Sequence, residues 1–165
     1  MKFVLGILFV LCMSAGAFEQ FDYRATRLRV EIDRRAFKDA GLKLPSVTAH
    51  VKRALKLWTL GSGRKHKLVS RNGNIRVTVF TSPEYLGLYE PTCISSREVL
   101  RANVYVEARR LAFAPDLFYT VMIHEFGHAL GIKHSPDPKS VMFADIIEPH
   151  YYLTPDDIDG AKNWK

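Results

Sequence analysis

Residues 124–134 constrain the fold of this 165-residue chain more than any other segment. They read His-Glu-Phe-Gly-His-Ala-Leu-Gly-Ile-Lys-His. Residues four apart on a helix project from the same face, so His124 and His128 can both reach one zinc ion at about 2.0–2.1 Å. Gly131 lets the helix end and the chain turn back without a Cβ penalty, which returns His134 as a third ligand. The run therefore predicts a helix that carries a metal site.

Glu125 makes this predicted site a catalytic one. Three protein ligands leave the fourth position of a tetrahedral zinc open for water, which is the layout of catalytic rather than structural sites. Glu125 follows the first ligand but points off the axis that joins His124 and His128. From there it can hold the metal-bound water and accept its proton as a general base. A helical pair of histidines alone is common by chance, whereas five positions matching at fixed spacing are not.

The rest of the chain predicts one domain of mixed α and β structure. Hydrophobic residues make up 47% of the sequence and charged residues 25%, which excludes disordered, collagen-like and disulfide-scaffold classes. Period-two alternation predicts strands, and helical spacing with Pro or Thr at the start predicts helices. The predicted elements are strands at 28–32, 74–80 and 102–107 and helices that open at Pro45, Pro115 and Thr154. Strands come first and the site helix late, so we expect an α+β domain.

The first 17 residues have the pattern of a secretory signal peptide. Lys2 gives a positive start, residues 3–13 form an apolar stretch, and residues 14–17 end in an Ala-x-Ala cleavage pattern. The alternative is an N-terminal membrane anchor, but the apolar run is too short to span a bilayer. We therefore expect a secreted, extracellular protein with no transmembrane segment.

Removal of residues 1–17 would leave Cys93 as the only cysteine. A single cysteine in an oxidising compartment cannot form an intramolecular disulfide. Its thiol is either buried and inert, paired with another molecule, or reactive, and burial is the commonest fate of a lone cysteine.

The chain is basic, with 24 Lys and Arg against 17 Asp and Glu. The basic residues cluster at Arg24, Arg27, Arg29, Arg34 and Arg35 and in the run Arg64-Lys65-His66-Lys67. Such runs are usually solvated faces, but in a secreted protein they can also bind sulfated glycans or anionic cell surfaces. No nucleic-acid-binding module accompanies the charge, so we expect no nucleic-acid partner.

The His-Glu-x-x-His-x-x-Gly-x-x-His run resembles that of the metzincin zinc endopeptidases. Ser135 after the third histidine is similar to the matrixin branch, which contains the matrix metalloproteinases and their relatives. Ser140-Val141-Met142 lies where that family has its Met-turn, which implies that Met142 forms an apolar floor beneath the metal. The similarity extends to the first helix around residues 53–58 and to the last helix around residues 153–160, and it is strongest in the zinc run, the Met-turn and that last helix.

The resemblance implies a zincin-like fold with a twisted, mainly parallel sheet, one antiparallel edge strand and about three helices. It implies a zinc-dependent endopeptidase that hydrolyses peptide bonds in proteins, with Glu125 activating the zinc-bound water. Substrate would lie antiparallel to an edge strand, for which we favour residues 86–90. Thr120, four residues before His124, and Phe143 are expected to bound the S1′ pocket.

Departures from the family pattern carry further expectations. The sequence contains no Pro-Arg-Cys-Gly segment, and we expect neither a propeptide nor a C-terminal haemopexin-like domain. We expect residues 18–165 to form a single catalytic domain that is active as made or is controlled by an external protein inhibitor. Residues 61–115 contain one histidine, His66, and no Asp. The family's structural zinc and its calcium sites are therefore expected to be absent, which leaves one catalytic zinc.

A second class of function remains open. The chain could be a secreted zinc-binding module without turnover that acts as a decoy for inhibitors or as a basic adhesion protein. Glu125 argues against it, because a protein that only binds metal needs no base at that position.

Overall fold

A computed structural model describes residues 23–146 and 148–163 of the chain. The predicted signal peptide lies outside the described residues, and the prediction that residues 18–165 form one domain stays a prediction. The strands are β1 (Arg29–Ile32), β2 (Lys67–Val69), β3 (Ile75–Phe80), β4 (Gly87–Ser95) and β5 (Glu98–Glu107). The helices are α1 (Arg34–Asp39), α2 (Leu44–Ser62), α3 (Ala108–Leu111), α4 (Pro115–Ala129) and α5 (Pro155–Lys162).

The five strands form one sheet in the order β2-β1-β3-β5-β4. The pairs β1–β2, β1–β3 and β3–β5 are parallel, while β4 runs antiparallel to β5 at one edge. The predicted α+β fold with a mainly parallel sheet and one antiparallel edge strand is therefore confirmed, and the favoured segment 86–90 falls largely in β4. The three predicted helices correspond to α2, α4 and α5. Two further helices, α1 and α3, are too short to show a helical period in the sequence.

Helix α4 is the central helix of the domain. Every residue from Phe118 to Ala129 is buried, and α4 packs against α2 on one side and against β4 and β5 on the other. The indole nitrogen of Trp58 in α2 donates a hydrogen bond of 2.8 Å to the carbonyl of Ile123 and so joins the two helices. A helix that is enclosed on all sides presents its polar residues inside the protein rather than to solvent. No helix in the described ranges is long and apolar enough to cross a membrane.

The alternative that Cys93 is buried is wrong, because its side chain is exposed. It lies on β4 where the pairing with β5 shifts register on either side of residue 93. An irregular edge strand turns this residue outward, which alternation along the strand did not predict.

His66 is a buried structural histidine rather than part of a solvated basic run. Its Nδ1 accepts a hydrogen bond of 3.0 Å from the backbone N–H of Leu28. Its Nε2 therefore carries the proton and donates to Ser62 Oγ at 2.9 Å, and that hydroxyl donates to the carbonyl of Trp58 at 2.7 Å. Burial, and after it the charge of Arg64, lowers the pKa of His66 to about 4. The imidazole thus connects α2 to the start of β1 only in its neutral form.

His66→Gln is expected to weaken the dependence of stability on pH. In the unfolded chain His66 binds a proton below about pH 6.5, whereas in the folded protein it does so only near pH 4. The free energy of unfolding therefore falls as the pH drops through this window. The contribution lost between pH 7.5 and pH 5 is about 2 kcal/mol. Urea unfolding of both proteins at the two pH values measures it, and the other histidines cancel in the difference. Identical pH dependence in the two proteins would contradict this role.

Candidate metal centre

The three histidines are brought together by the helix α4 and by the turn that ends it. His124 and His128 lie on successive turns of α4. After the helix, Ile132 N–H donates to the carbonyl of Gly127 at 3.1 Å and Gly131 N–H donates to that of His128 at 2.9 Å. These two bonds form a Schellman motif, and Gly131 adopts the required positive φ of 89°. The motif reverses the chain, so the following residues return towards the helix.

The side chains of His124, His128 and His134 converge on one point. One ring nitrogen from each lies within 4.8 Å of the others. The ring centroids are separated by 4.5 Å for 124 and 128, 4.9 Å for 128 and 134, and 5.2 Å for 124 and 134. A single metal ion with bonds of about 2 Å to each nitrogen fits that spacing.

Hydrogen bonds to backbone carbonyls set the tautomer of the first two imidazoles. His124 Nδ1 lies 2.7 Å from the carbonyl oxygen of Val141, and His128 Nδ1 lies 2.7 Å from that of Ile132. A carbonyl only accepts, so each Nδ1 must carry the proton. In a neutral ring the lone pair is then on Nε2, the atom that turns towards the other histidines. This is the arrangement that a metal-binding histidine requires.

The protonation states and the unpaired atoms of the site fit zinc. Burial is the main cause that lowers the pKa of all three imidazoles, that of His128 to about 3, and therefore keeps the rings neutral. His124 Nε2 and His134 Nε2 are buried without a hydrogen-bond partner. Buried polar atoms without partners are costly unless something binds them. Three neutral imidazoles are the donor set of a catalytic zinc site.

Glu125 is buried beside the edge strand, with an exposed fraction of only 1%. Neither of its carboxylate oxygens has a hydrogen-bond partner among the described residues. Burial raises its pKa well above the usual value, which is typical of a carboxyl group that exchanges protons. Gly87 of β4 makes room for it, because a Cβ at position 87 would overlap the carboxylate oxygen and the side chain of Val121.

The place of Met142 beneath the metal position stays a prediction, but the residue packs against α4. It is fully buried, and its thioether packs directly against Gly127, where a Cβ would overlap the sulfur and come within 3.0 Å of the Trp58 ring. The backbone of this turn also contacts the segment after the third histidine, since Ser135 N–H donates to the Met142 carbonyl at 2.8 Å. The turn therefore supports His124 through the Val141 carbonyl and His134 through its neighbour Ser135.

A buried carboxylate attaches the Met-turn to α5. Asp157 is fully buried and accepts hydrogen bonds from the hydroxyl of Ser140 at 2.5 Å and from the backbone N–H and hydroxyl of Thr154, both at 2.8 Å. Thr154 Oγ1 in turn accepts from Asp157 N–H, which completes a capping box at the start of α5. The sequence predicted Thr154 as the N-cap of α5. It did not predict that the Asp157 carboxylate, which completes this cap, also holds the Met-turn.

Of the two residues predicted to bound S1′, Phe143 directly follows Met142 and Thr120 lies in α4. Phe143 is half-buried, whereas Thr120 is fully buried. The Thr120 hydroxyl accepts from His150 N–H at 2.9 Å and lies 3.1 Å from the Asp116 carbonyl. Thr120 therefore attaches the segment around His150 to α4, and its place beside an S1′ pocket stays a prediction.

The segment around His150 has a second attachment, which sequence reasoning missed. The guanidinium of Arg53 in α2 lies 4.1 Å from the ring centroid of Tyr119 and 5.5 Å from that of Tyr151. The two tyrosine rings stack with centroids 6.3 Å apart. A cation beside two aromatic rings is stabilising, but residues 53, 119 and 151 are too far apart in sequence for any local pattern to predict the cluster.

Within residues 23–146 and 148–163, the three histidines are the one group of at least three potential ligand residues close enough to hold a metal. The expected absence of a structural zinc and of calcium remains an expectation.

Comparisons with known proteins agree with this geometry. Residues 93–164 match the protein-family model of the matrixins. The chain is 50% identical over 41 residues to a probable matrix metalloproteinase 095L of Invertebrate iridescent virus 3, covering 25% of this chain and 11% of that protein. It is 41% identical over 63 residues to the 72 kDa type IV collagenase of Gallus gallus, covering 35% and 9%. The matches thus span about a tenth of the length of these curated relatives.

Asp157→Asn is expected to destabilise the protein by about 1–3 kcal/mol, because an amide nitrogen would face hydrogen-bond donors in a buried site. Zinc affinity should fall with it, since the Met-turn that supports His124 loses its attachment. Chemical unfolding and competitive zinc titration measure the two effects. Asp156→Asn is the matched control, because this exposed residue lies in the same first turn of α5. Equal effects of the two substitutions would contradict a specific role for Asp157.

Proposed function

We propose that the matrixin-like catalytic domain of this chain makes it a zinc-dependent endopeptidase that hydrolyses peptide bonds in proteins. The observation that carries the proposal is the combination of three convergent, neutral imidazoles with an adjacent buried carboxylate that has no partner. A site built only to store metal needs the first feature and gains nothing from the second, which costs stability.

His124, His128 and His134 are the residues that would hold the zinc. A single zinc ion bound there would act as a Lewis acid, which polarises the scissile carbonyl and lowers the pKa of a water molecule to about 7. The Val141 and Ile132 carbonyls keep two of these rings oriented and raise their basicity through the Nδ1 protons.

Glu125 is proposed to hold the attacking water and to accept its proton. The raised pKa makes the carboxylate a stronger base than one in solvent, and makes its protonated form available to donate. As the water oxygen bonds to the carbonyl carbon, the proton passes to Glu125. It then passes to the amide nitrogen as the C–N bond breaks, which yields a carboxylic acid and an amine.

The edge strand β4 offers the surface along which a substrate chain can bind. One side of β4 pairs with β5, and in the described part of the sheet no strand pairs with its other side. An extended peptide added antiparallel there would be aligned by main-chain hydrogen bonds and would pass Gly87, beside the Glu125 carboxylate. Phe143 and the segment attached through Thr120 would bound the S1′ pocket, and the small Thr120 favours apolar P1′ side chains.

The site of action and its control are also proposals. The pattern of residues 1–17 supports secretion, and we propose an external protein inhibitor as the control of activity. Zinc binding without turnover is the competing function, and the experiment below separates the two.

Glu125→Gln is expected to lower kcat/KM by about 10²–10⁴-fold while zinc remains bound, because the amide cannot accept a proton. Cleavage of a mixed peptide library by residues 18–165, with metal content measured in parallel, provides the test. Chelation should abolish cleavage and added zinc should restore it. Glu84→Gln, which changes an exposed carboxylate, is the control. A wild-type protein that binds one zinc but cleaves nothing would instead favour the binding module.

Gly87→Ala is expected to lower kcat/KM by about 10- to 100-fold with little change in zinc content, because the new Cβ displaces the Glu125 carboxylate. Gly41→Ala is the control for backbone strain: its φ of 75° disfavours Ala, but an added Cβ there meets no atom within 4 Å. Equal activity of the two variants would show that Gly87 does not position the base.

A further inference from the structure

A groove of about 360 Å³ lies between α2 and β2 and is formed by residues that the peptidase proposal does not use. Its lining consists of Lys52, Leu55, Lys56, Thr59, His66, Lys67 and Leu68. We propose that this groove binds a linear sulfated glycan, and that it is an exosite separate from the metal centre.

The segment that forms the groove carries an extreme excess of positive charge. Residues 40–83 contain nine basic residues and no Asp or Glu. The nine are Lys43, Lys52, Arg53, Lys56, Arg64, Lys65, Lys67, Arg71 and Arg76. This exceeds the net charge of +7 of the whole chain, so the remainder is slightly acidic. The net positive charge of the chain therefore resides in this segment, which also supplies the three lysines that line the groove.

The lysines of the groove are free to bind an external anion. Lys52, Lys56 and Lys67 are exposed, and none of them takes part in the salt bridges found among the described residues. His66 also lines the groove but is buried, and burial and then the charge of Arg64 lower its pKa. An ammonium group without a local carboxylate retains its full attraction for a ligand.

The positions of these lysines suit a chain-like anion. Lys52 and Lys56 are one turn apart on the same face of α2, about 6 Å along the helix axis. Lys67 lies on β2, the other element that lines the groove, and Leu55 and Leu68 add apolar side chains to the lining. A sulfated polysaccharide has sulfates on both sides of its backbone and C–H faces on its sugar rings, so it can contact the lysines and the leucines together.

Other polyanions fit the groove less well. Apart from His66, which is held between α2 and β1, no aromatic side chain lines it, so it lacks the stacking platform on which single-stranded nucleic acids bind. A flat anionic membrane would contact the rims of a concave groove but not the leucines at its floor.

The groove and the strand beside Glu125 lie at opposite edges of the sheet. Strand β2 is one edge and β4 is the other, with three strands between them. At about 4.8 Å per strand, the two edges are about 19 Å apart. A bound glycan would hold the protein at a surface or matrix while leaving the β4 edge open.

Heparin affinity of the full chain tests the proposal. A variant with Lys52→Gln, Lys56→Gln and Lys67→Gln should bind heparin about tenfold or more weakly at 0.15 M salt, because three cations near the anion are lost. The control variant, with Lys38→Gln, Arg109→Gln and Lys139→Gln, loses the same charge at exposed positions outside the groove and should change by no more than about twofold. Circular dichroism and zinc content establish that both variants are folded.

The proposal would be overturned by equal weakening in both variants, by no binding of the wild type to heparin, or by equal binding to unsulfated hyaluronan. Tighter binding to anionic vesicles or to a short DNA duplex would also overturn it, in favour of a membrane or nucleic-acid surface. Heparin binding lost only in the groove variant would support the exosite even if the wild type cleaved no peptide, so the outcome is independent of the peptidase proposal.

Discussion

The site depends on two hydrogen bonds between an imidazole Nδ1 and a backbone carbonyl. Because the Val141 and Ile132 carbonyls can only accept, they require His124 and His128 to be protonated at Nδ1 and leave the Nε2 lone pairs facing the metal position. One carbonyl comes from the Met-turn and the other from the chain that leaves α4. Both carbonyls thus belong to the chain that follows α4, and the site has its geometry only once that chain has folded back against the helix.

Close packing around the histidines links the site to the rest of the fold. Gly127 admits the Met142 thioether and Gly87 admits the Glu125 carboxylate, so two positions in different elements have no space for a Cβ. Asp157 then fixes the Met-turn to α5 through hydrogen bonds that are fully buried. The unpartnered carboxylate of Glu125 is costly in such an interior, and these contacts supply the rigidity that keeps it in place.

Much of the fold and the chemistry could be predicted from local patterns. Alternation and capping residues predicted three of the strands and all of the longer helices, and fixed spacing predicted three histidines around one point. The predictions failed where a residue is defined by a distant partner. His66 looked like part of a basic turn, but Leu28, 38 residues away, makes it a buried acceptor. Burial of Cys93 was a reasonable alternative until the irregular pairing of β4 placed it outside.

The sequence by itself determined which side chains meet at the metal position, because helical spacing and a glycine-ended helix are set by residues within one short segment. It also determined that positive charge is concentrated in residues 40–83. Only the tertiary structure decided the tautomers of the histidines, the second role of Asp157, the attachment of Thr120 to His150 and the separation of the basic groove from the metal centre. Each of these depends on hydrogen bonds or packing between residues far apart in the chain, which no local periodicity encodes.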